Sequence, residues 1–203
     1  KMSDIVLKSS EGRTEIYTPY NPDFVSEIKR IGGARWNSSS KCWSVPEEMT
    51  DAAREIIKSV YGYTDQEKAT EMVSVIVKFS RDVYKTRGLY EMFGKVLSRA
   101  WGRDSGAKAG DDVIYLQGKP KSGGSRNNWD SIVPEGSVVK ITNIPKSVYE
   151  SKIQELEKAG KYYYTIELEG TKINRQALLD EKEKLLARLK EIEKILSESE
   201  ENS

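Results

Sequence analysis

Residues Gly102 to Trp129 hold the densest collection of groups that could do chemistry. The run Gly102-Arg103-Asp104-Ser105-Gly106-Ala107-Lys108-Ala109-Gly110 is followed by a short apolar stretch and then by Gly118-Lys119-Pro120-Lys121-Ser122-Gly123-Gly124-Ser125-Arg126-Asn127-Asn128-Trp129. Glycine lets backbone N–H groups approach a ligand closely, and successive N–H groups form anion-binding concavities. Ser105, Ser122 and Ser125 add hydroxyls, Gly123 and Gly124 add open backbone, and Arg103, Lys108, Lys119, Lys121 and Arg126 add cations, with Arg99 just upstream. Arginine holds an anion bidentately and so fixes orientation as well as charge. Asn127 and Asn128 offer amides to base edges, and Trp129 offers a ring to a base. The chemistry implied is the holding of phosphate oxygens. The two glycine-rich segments flank one strand, whose four residues separate them by about 13 Å, a span one nucleotide or dinucleotide can bridge. The plainer alternative is a pair of connecting loops with Trp129 in the core. The spacings of a Walker A loop or a dinucleotide fingerprint are absent.

Other chemistries lose their residues. There is no histidine among the 203 residues, which removes His-based zinc sites, Ser-His-Asp and Cys-His arrangements, and the usual general base near neutral pH. Asp104, Asp111, Asp112, Asp130 and Glu135 are candidate magnesium ligands, but adjacent aspartates before a strand serve equally as turn residues, and no metal or cofactor is expected. Cys42 is the only cysteine; it excludes an internal disulfide and reads as structural. Net charge is +1, yet residues 76–149 carry 13 basic and 7 acidic groups, so the middle of the chain attracts polyanions. No apolar run reaches the roughly 18 to 20 residues that span a bilayer, and no basic-then-apolar leader is present, so the expectation is a cytoplasmic chain without membrane contact.

The elements that would position these groups follow from periodicity and caps. Residues 5–7 and 14–18 read as strands, and Asn21-Pro22-Asp23 caps a helix whose stripe is Phe24, Val25, Ile28 and Ile31, closed by Gly32-Gly33. Ala34-Arg35-Trp36 and Lys41 to Pro46 form a hairpin, and Thr50-Asp51 caps a second helix to about Tyr61. A linker over 61–70 precedes a strand over 73–79. Leu89, Met92, Phe93, Val96, Leu97, Ala100 and Trp101 fall at helical spacing and predict a helix over 88–101, with Lys95 and Arg99 on its exposed side and Arg103 delivered into the first glycine loop. Residues 113–116 predict a buried strand, 131–133 and 137–142 two more, Pro145 to Ala159 a helix closed by Gly160, and Tyr162 to Leu168 the last strand. Asn174 caps a final helix to about Ser197, roughly 36 Å long. In it Leu178, Leu185, Leu189, Ile192 and Leu196 occupy heptad a and d positions, with Lys182 a polar a position.

The order Tyr17-Thr18-Pro19-Tyr20-Asn21-Pro22, Ile28-Lys29-Arg30-Ile31-Gly32-Gly33-Ala34-Arg35-Trp36, Lys41-Cys42-Trp43-Ser44-Val45-Pro46 resembles the HARP module found beside annealing-helicase motors. The resemblance covers about residues 12–61. It implies binding of DNA at strand junctions, carried over to Arg35, Trp36, Lys41 and Trp43. No helicase motor accompanies it, so motor-dependent activity is not implied. Burial is the expected place of Trp36 and Trp43 themselves, with Arg35 and Lys41 reaching solvent.

The expectation is therefore an α+β chain: two small α+β domains followed by a long C-terminal helix that pairs as a coiled coil. The divisions are a HARP-like module over 1–63, a basic domain with two glycine-rich loops over 71–170, and a coiled-coil or docking helix over 174–199. The expected function is non-catalytic binding of a phosphate-bearing partner, DNA first, with homo-oligomerisation through 174–199. The alternatives are sequestration of a small signalling nucleotide, as in a phage-type anti-defence protein, and a protein-binding inhibitor or adaptor of a nucleic-acid enzyme.

Overall fold

The computed structural model describes residues 5–159 and 163–201. The chain opens with β1 (Val6–Ser10) and β2 (Arg13–Tyr17), then α1 (Pro22–Ile28), the hairpin of β3 (Arg35–Asn37) and β4 (Cys42–Pro46), and α2 (Thr50–Tyr61). The four strands form one antiparallel sheet in the order β1-β2-β4-β3. Asn21 caps α1 as its chemistry requires, its Oδ1 accepting from the N–H groups of Asp23 and Phe24 at 2.8 and 3.3 Å. The helix is a turn shorter than expected, its last residue being Ile28. Thr50 does not cap α2: a 3-10 turn, Glu47–Met49, leads straight into the helix, and the Thr50 hydroxyl donates to the Glu47 carbonyl at 2.7 Å. Both helices press Phe24, Ile28, Ala53, Ile57 and Tyr61 onto Ile16, Trp43 and Val45 of the sheet, which makes a first core.

The remainder overturns the expectation of two small α+β domains. Strands make up 40% of the structure against 30% helix, in four antiparallel sheets. β5 (Glu71–Phe79), β10 (Val113–Gln117), β13 (Val138–Pro145) and β14 (Tyr164–Ile173) form a sheet in the order β10-β13-β5-β14. A second sheet pairs β11 (Lys121–Gly124), β12 (Trp129–Val133) and β6 (Val83–Thr86), and a third pairs β7 (Leu89–Met92), β8 (Lys95–Ala100) and β9 (Ala107–Lys108). α3 (Lys146–Ala159) and the long α4 (Arg175–Glu201) complete the chain. Val73, Val75, Val77, Phe79, Leu97, Val133, Val139, Ile141 and Ile144 are the heart of the second core.

The helix expected over 88–101 is instead the hairpin β7–β8. Phe93 and Gly94 both have positive φ, 52° and 70°, the pair of left-handed residues a two-residue hairpin turn needs, and Met92 pairs with Lys95 across it. β8 is covered on both sides, Leu97 and Ser98 being fully buried in succession, so its apolar residues do not alternate. Instead of strand pairing, a buried hydroxyl closes the seam to β12: Ala100 N–H donates to Ser131 Oγ at 2.8 Å, and Ser131 donates to the Gly88 carbonyl at 2.6 Å. The strand at 113–117 is an edge rather than a buried strand, with Ile114 and Leu116 exposed. Gly160 and Tyr162 lie outside the described residues.

The two cores meet along the β7–β8 turn and α3. Asn21 is buried beside Gly94, Asp23 pairs with Lys152 of α3 at 3.3 Å, and the αL C-cap Gly62 (φ 76°) lies so close to Pro145 and Ser147 that a Cβ there would sit 2.8 Å from each. Glu91 lies in this seam with its Oε2 buried and without a hydrogen-bond partner among the described residues. Burial, reinforced by the Asp23 charge and opposed by Lys152 and Lys85, pushes its carboxyl up to about 7 from 4.5. Between those values the folded chain keeps a proton that the unfolded chain has lost, so this group's contribution to stability falls as pH rises through that window and levels off above it. Glu91→Gln is expected to raise the melting temperature at pH 8 and to leave it unchanged at pH 4, as read by thermal unfolding at both.

Candidate functional site

The site begins with the strand β8, whose end carries Arg99 and leads to Trp101. After Trp101 the chain turns back through residues 102–106, held by Ser105: its Oγ accepts from the N–H groups of Trp101 and Gly102 at 3.0 and 3.1 Å, and its hydrogen is shared between the carbonyls of Gly102 and Gly106 at 2.9 and 2.7 Å. β9 then pairs alongside β8, Arg99 opposite Lys108, and the Gly110 N–H donates to the Val96 carbonyl at 2.8 Å. This return places Lys108 and Asp111 beside Arg99 and Trp101. The segment before α1 brings Pro19 and Tyr20 to the opposite side, fixed by the Tyr61 hydroxyl donating to the Pro19 carbonyl at 2.6 Å. Between them lies a cleft of about 360 Å³.

Three aromatic rings border it, the half-buried Tyr63 and two that face solvent: Trp101 is 60% exposed and Tyr20 56%. The Arg99 guanidinium lies 5.6 Å from the centroid of the Tyr20 ring, a cation–π contact that steadies both. Three cations line the cleft, but only two are free to meet an anion. Lys95 is bound to Asp112 at 2.7 Å, and Asp112 also accepts from the Asn143 amide at 2.8 Å. Burial opposes ionisation of Asp112, but the hydrogen bonds from Lys95 and Asn143 and the Lys95 charge outweigh it and hold its carboxyl below the ordinary carboxylate range. Arg99 and Lys108 have no carboxylate partner among the described residues. Asp111 is the remaining carboxylate of the lining. Among the described residues no three His, Cys, Asp or Glu groups come together in a way that could hold a metal ion.

The two glycine-rich segments meet, though not as a shared phosphate cradle. Ser122 Oγ donates to the Arg103 carbonyl at 2.7 Å. Lys121 to Gly124 is a strand, with Ser122 opposite Ser131, Gly123 opposite Asp130 and Gly124 opposite Trp129, so its backbone is committed to a ladder. Residues 125–128 are the turn of that hairpin, Ser125 N–H donating to the Asn128 carbonyl at 2.9 Å and Ser125 Oγ accepting from Asn128 N–H at 3.0 Å. Arg103 is tied to Asp104 at 2.7 Å, and Ser105 is spent on its own turn. Lys119, Lys121, Arg126, Asn127 and Asn128 remain exposed, and Trp129 is half-buried in β12. Of the residues singled out in sequence, the cations Arg99 and Lys108 and the carboxylates Asp111 and Asp112 reach the cleft; Tyr20 and Trp101 are the functional candidates that sequence reasoning missed.

The β3–β4 hairpin separates its tryptophans. Trp43 is 9% exposed and belongs to the first core, whereas Trp36, directly opposite, is 52% exposed, with the two rings 5.6 Å apart. Burial of Trp36 is thus corrected: β3 is the edge of its sheet and nothing covers the outer ring. Arg35 and Lys41 flank it in solvent. Among the described residues no helix is long and apolar enough to cross a membrane. Comparison with protein-family models, with curated proteins and with solved structures finds no match to this chain.

Proposed function

We propose that the chain is a non-catalytic binding protein for a phosphate-bearing partner, DNA, and that it takes an unpaired nucleotide of that partner into the cleft bordered by Tyr20 and Trp101. One observation carries the reading: two solvent-facing rings and two cations without acid partners, Arg99 and Lys108, surround one cleft of about 360 Å³. A ring stacks on the face of a base only when that base has left its duplex, and stacking tolerates any sequence. The cations sit where the phosphates of the same strand can be neutralised. The exposed Lys119, Lys121 and Arg126 around the β11–β12 hairpin, which packs beside β9, and the exposed Arg35, Trp36 and Lys41, with their resemblance to the HARP module, offer further groups to a longer strand. The lone, buried Cys42 suits a cytoplasmic setting.

Fluorescence polarisation with labelled single strands and duplexes between about 50 and 200 mM salt tests this. Tighter binding of the single strand and a linear fall of log affinity with log salt are expected. Arg99→Ala with Lys108→Ala is expected to flatten that slope by about 1.4, since each phosphate contact to a single strand contributes about 0.7. An unchanged slope in the double variant places the phosphates elsewhere.

A second reading has its own support. The cleft is of a size to enclose one small nucleotide, and a net charge of +1 suits a single discrete ligand better than a polyanion. Held without turnover, such a ligand makes the chain a sequestering protein of the anti-defence type. Thermal shift against a panel of mononucleotides, dinucleotides and cyclic nucleotides separates the two readings, because a ligand at 100-fold its Kd stabilises by about 2.7 kcal/mol.

A further inference from the structure

α4 runs for 27 residues, about 40 Å, and is attached to the rest of the chain on one side near its start. Ala177 is buried there, and Lys184 Nζ donates to the Gln66 carbonyl at 3.1 Å. These two residues are seven apart and share one helix face. Leu178, Leu185, Leu189, Ile192 and Leu196 occupy another, turned roughly 100° from the first at about 100° per residue, and all five are 40 to 63% exposed. Leu179, Leu186 and Ile195 widen that stripe and are also exposed. An exposed aliphatic strip of this extent is on the order of the roughly 800 Å² that a standard interface buries per partner.

We propose that two copies of the chain associate through α4 as a parallel, in-register, two-stranded coiled coil. The occupant is a second copy because the spacing from Leu178 to Leu196 keeps the 3.5-residue repeat that lets identical helices interlock, with Lys182 as the single polar residue among the a and d positions from 178 to 196. Charge fixes the direction. In the parallel pair Arg188, a g position, faces Glu193 of the partner subunit, an e position, and the contact occurs twice by symmetry. An antiparallel pair with the stripes aligned puts Arg188 against Arg188 of the partner subunit instead. Within one chain Arg188 holds Glu191, a c position on the outer face, so the cross-helix pair forms by exchange of this exposed partner. Because the seam is turned roughly 100° from Ala177 and Lys184, its side chains are not the ones that attach α4 to the body.

Sedimentation velocity of the full chain from about 1 to 100 μM reads the outcome directly. A dimer mass is expected, and Leu185→Asp with Leu189→Asp is expected to give a monomer with an unchanged near-UV spectrum, since neither side chain touches a core. Arg188→Glu is expected to weaken the dimer about fivefold, with Glu193→Arg in the same chain restoring it. Direction is read by oxidising Leu196→Cys: parallel helices bring the two thiols together, antiparallel helices hold them about 27 Å apart, and the native Cys42 is 1% exposed and does not compete. A monomer throughout, a trimer mass, or failure of the position 196 thiols to couple in a confirmed dimer overturns the proposal. These outcomes are independent of whether the cleft binds nucleic acid.

Discussion

Alanine at Trp101 is expected to weaken binding of a single-stranded oligonucleotide by roughly 5- to 150-fold, the equivalent of the about 1 to 3 kcal/mol that stacking one base on one ring contributes. Stability is expected to stay within about 0.5 kcal/mol of the parent, because the ring is 60% exposed and little packing is lost. Trp101→Phe keeps a face to stack on and should recover most of the affinity. Tyr20→Ala removes a second ring and also releases Arg99 from its cation–π contact, so its effect should appear both in affinity and in the salt slope. Polarisation titrations of the three variants at one fixed salt concentration give the ranking. If Trp101→Ala binds as the parent does, the cleft is not where bases go, and the exposed cations at Lys119, Lys121 and Arg126 become the next surface to test.

Leu97→Ala is expected to cost about 2 to 5 kcal/mol in urea unfolding, since Leu97 is fully buried and a shortened side chain there leaves a void in the second core. Its neighbour behaves differently. Ser98 is equally buried, but its hydroxyl has no hydrogen-bond partner among the described residues, so Ser98→Ala is expected to be neutral or stabilising. A companion substitution tests the architecture by sign. In the middle of a helix Gly94→Ala gains about 1 kcal/mol, whereas at φ 70° in a hairpin turn, with the Asn21 amide 3.0 Å from the new Cβ, it loses about 1 to 3 kcal/mol.

That difference of sign marks where the sequence could be read and where it could not. Asn21-Pro22-Asp23 acts within one helical turn, so α1 was legible; so was the β3–β4 hairpin, whose two arms lie a few residues apart, and so was α4, which repeats its own pattern over several turns. The hairpin β7–β8 was not, because both faces of β8 are covered. Buried residues on both faces, among them Met92, Phe93, Leu97 and Ala100, imitate helical spacing, and the cue against a helix was the Phe93-Gly94 pair. Gly123 and Gly124 read as loop because a glycine's place in a ladder depends on β12, which no local pattern announces. The cleft was legible in its cations and in Asp111 and Asp112, but not in its rings. Tyr20 and Trp101 are 81 positions apart in sequence, and only the packing of one core against the other sets their rings around the same space.

Asn21 joins those two halves of the cleft. It is 3% exposed, caps α1, and lies against the turn that starts β8, so the residue before it, Tyr20, and the strand bearing Arg99 are anchored to a common point. The walls are consequently held to one anchor, and under the proposed function a base would dock with little loss of conformational entropy from the protein. Calorimetry of the complex should then show a modest heat-capacity change, set by the few rings covered and free of any contribution from coupled folding.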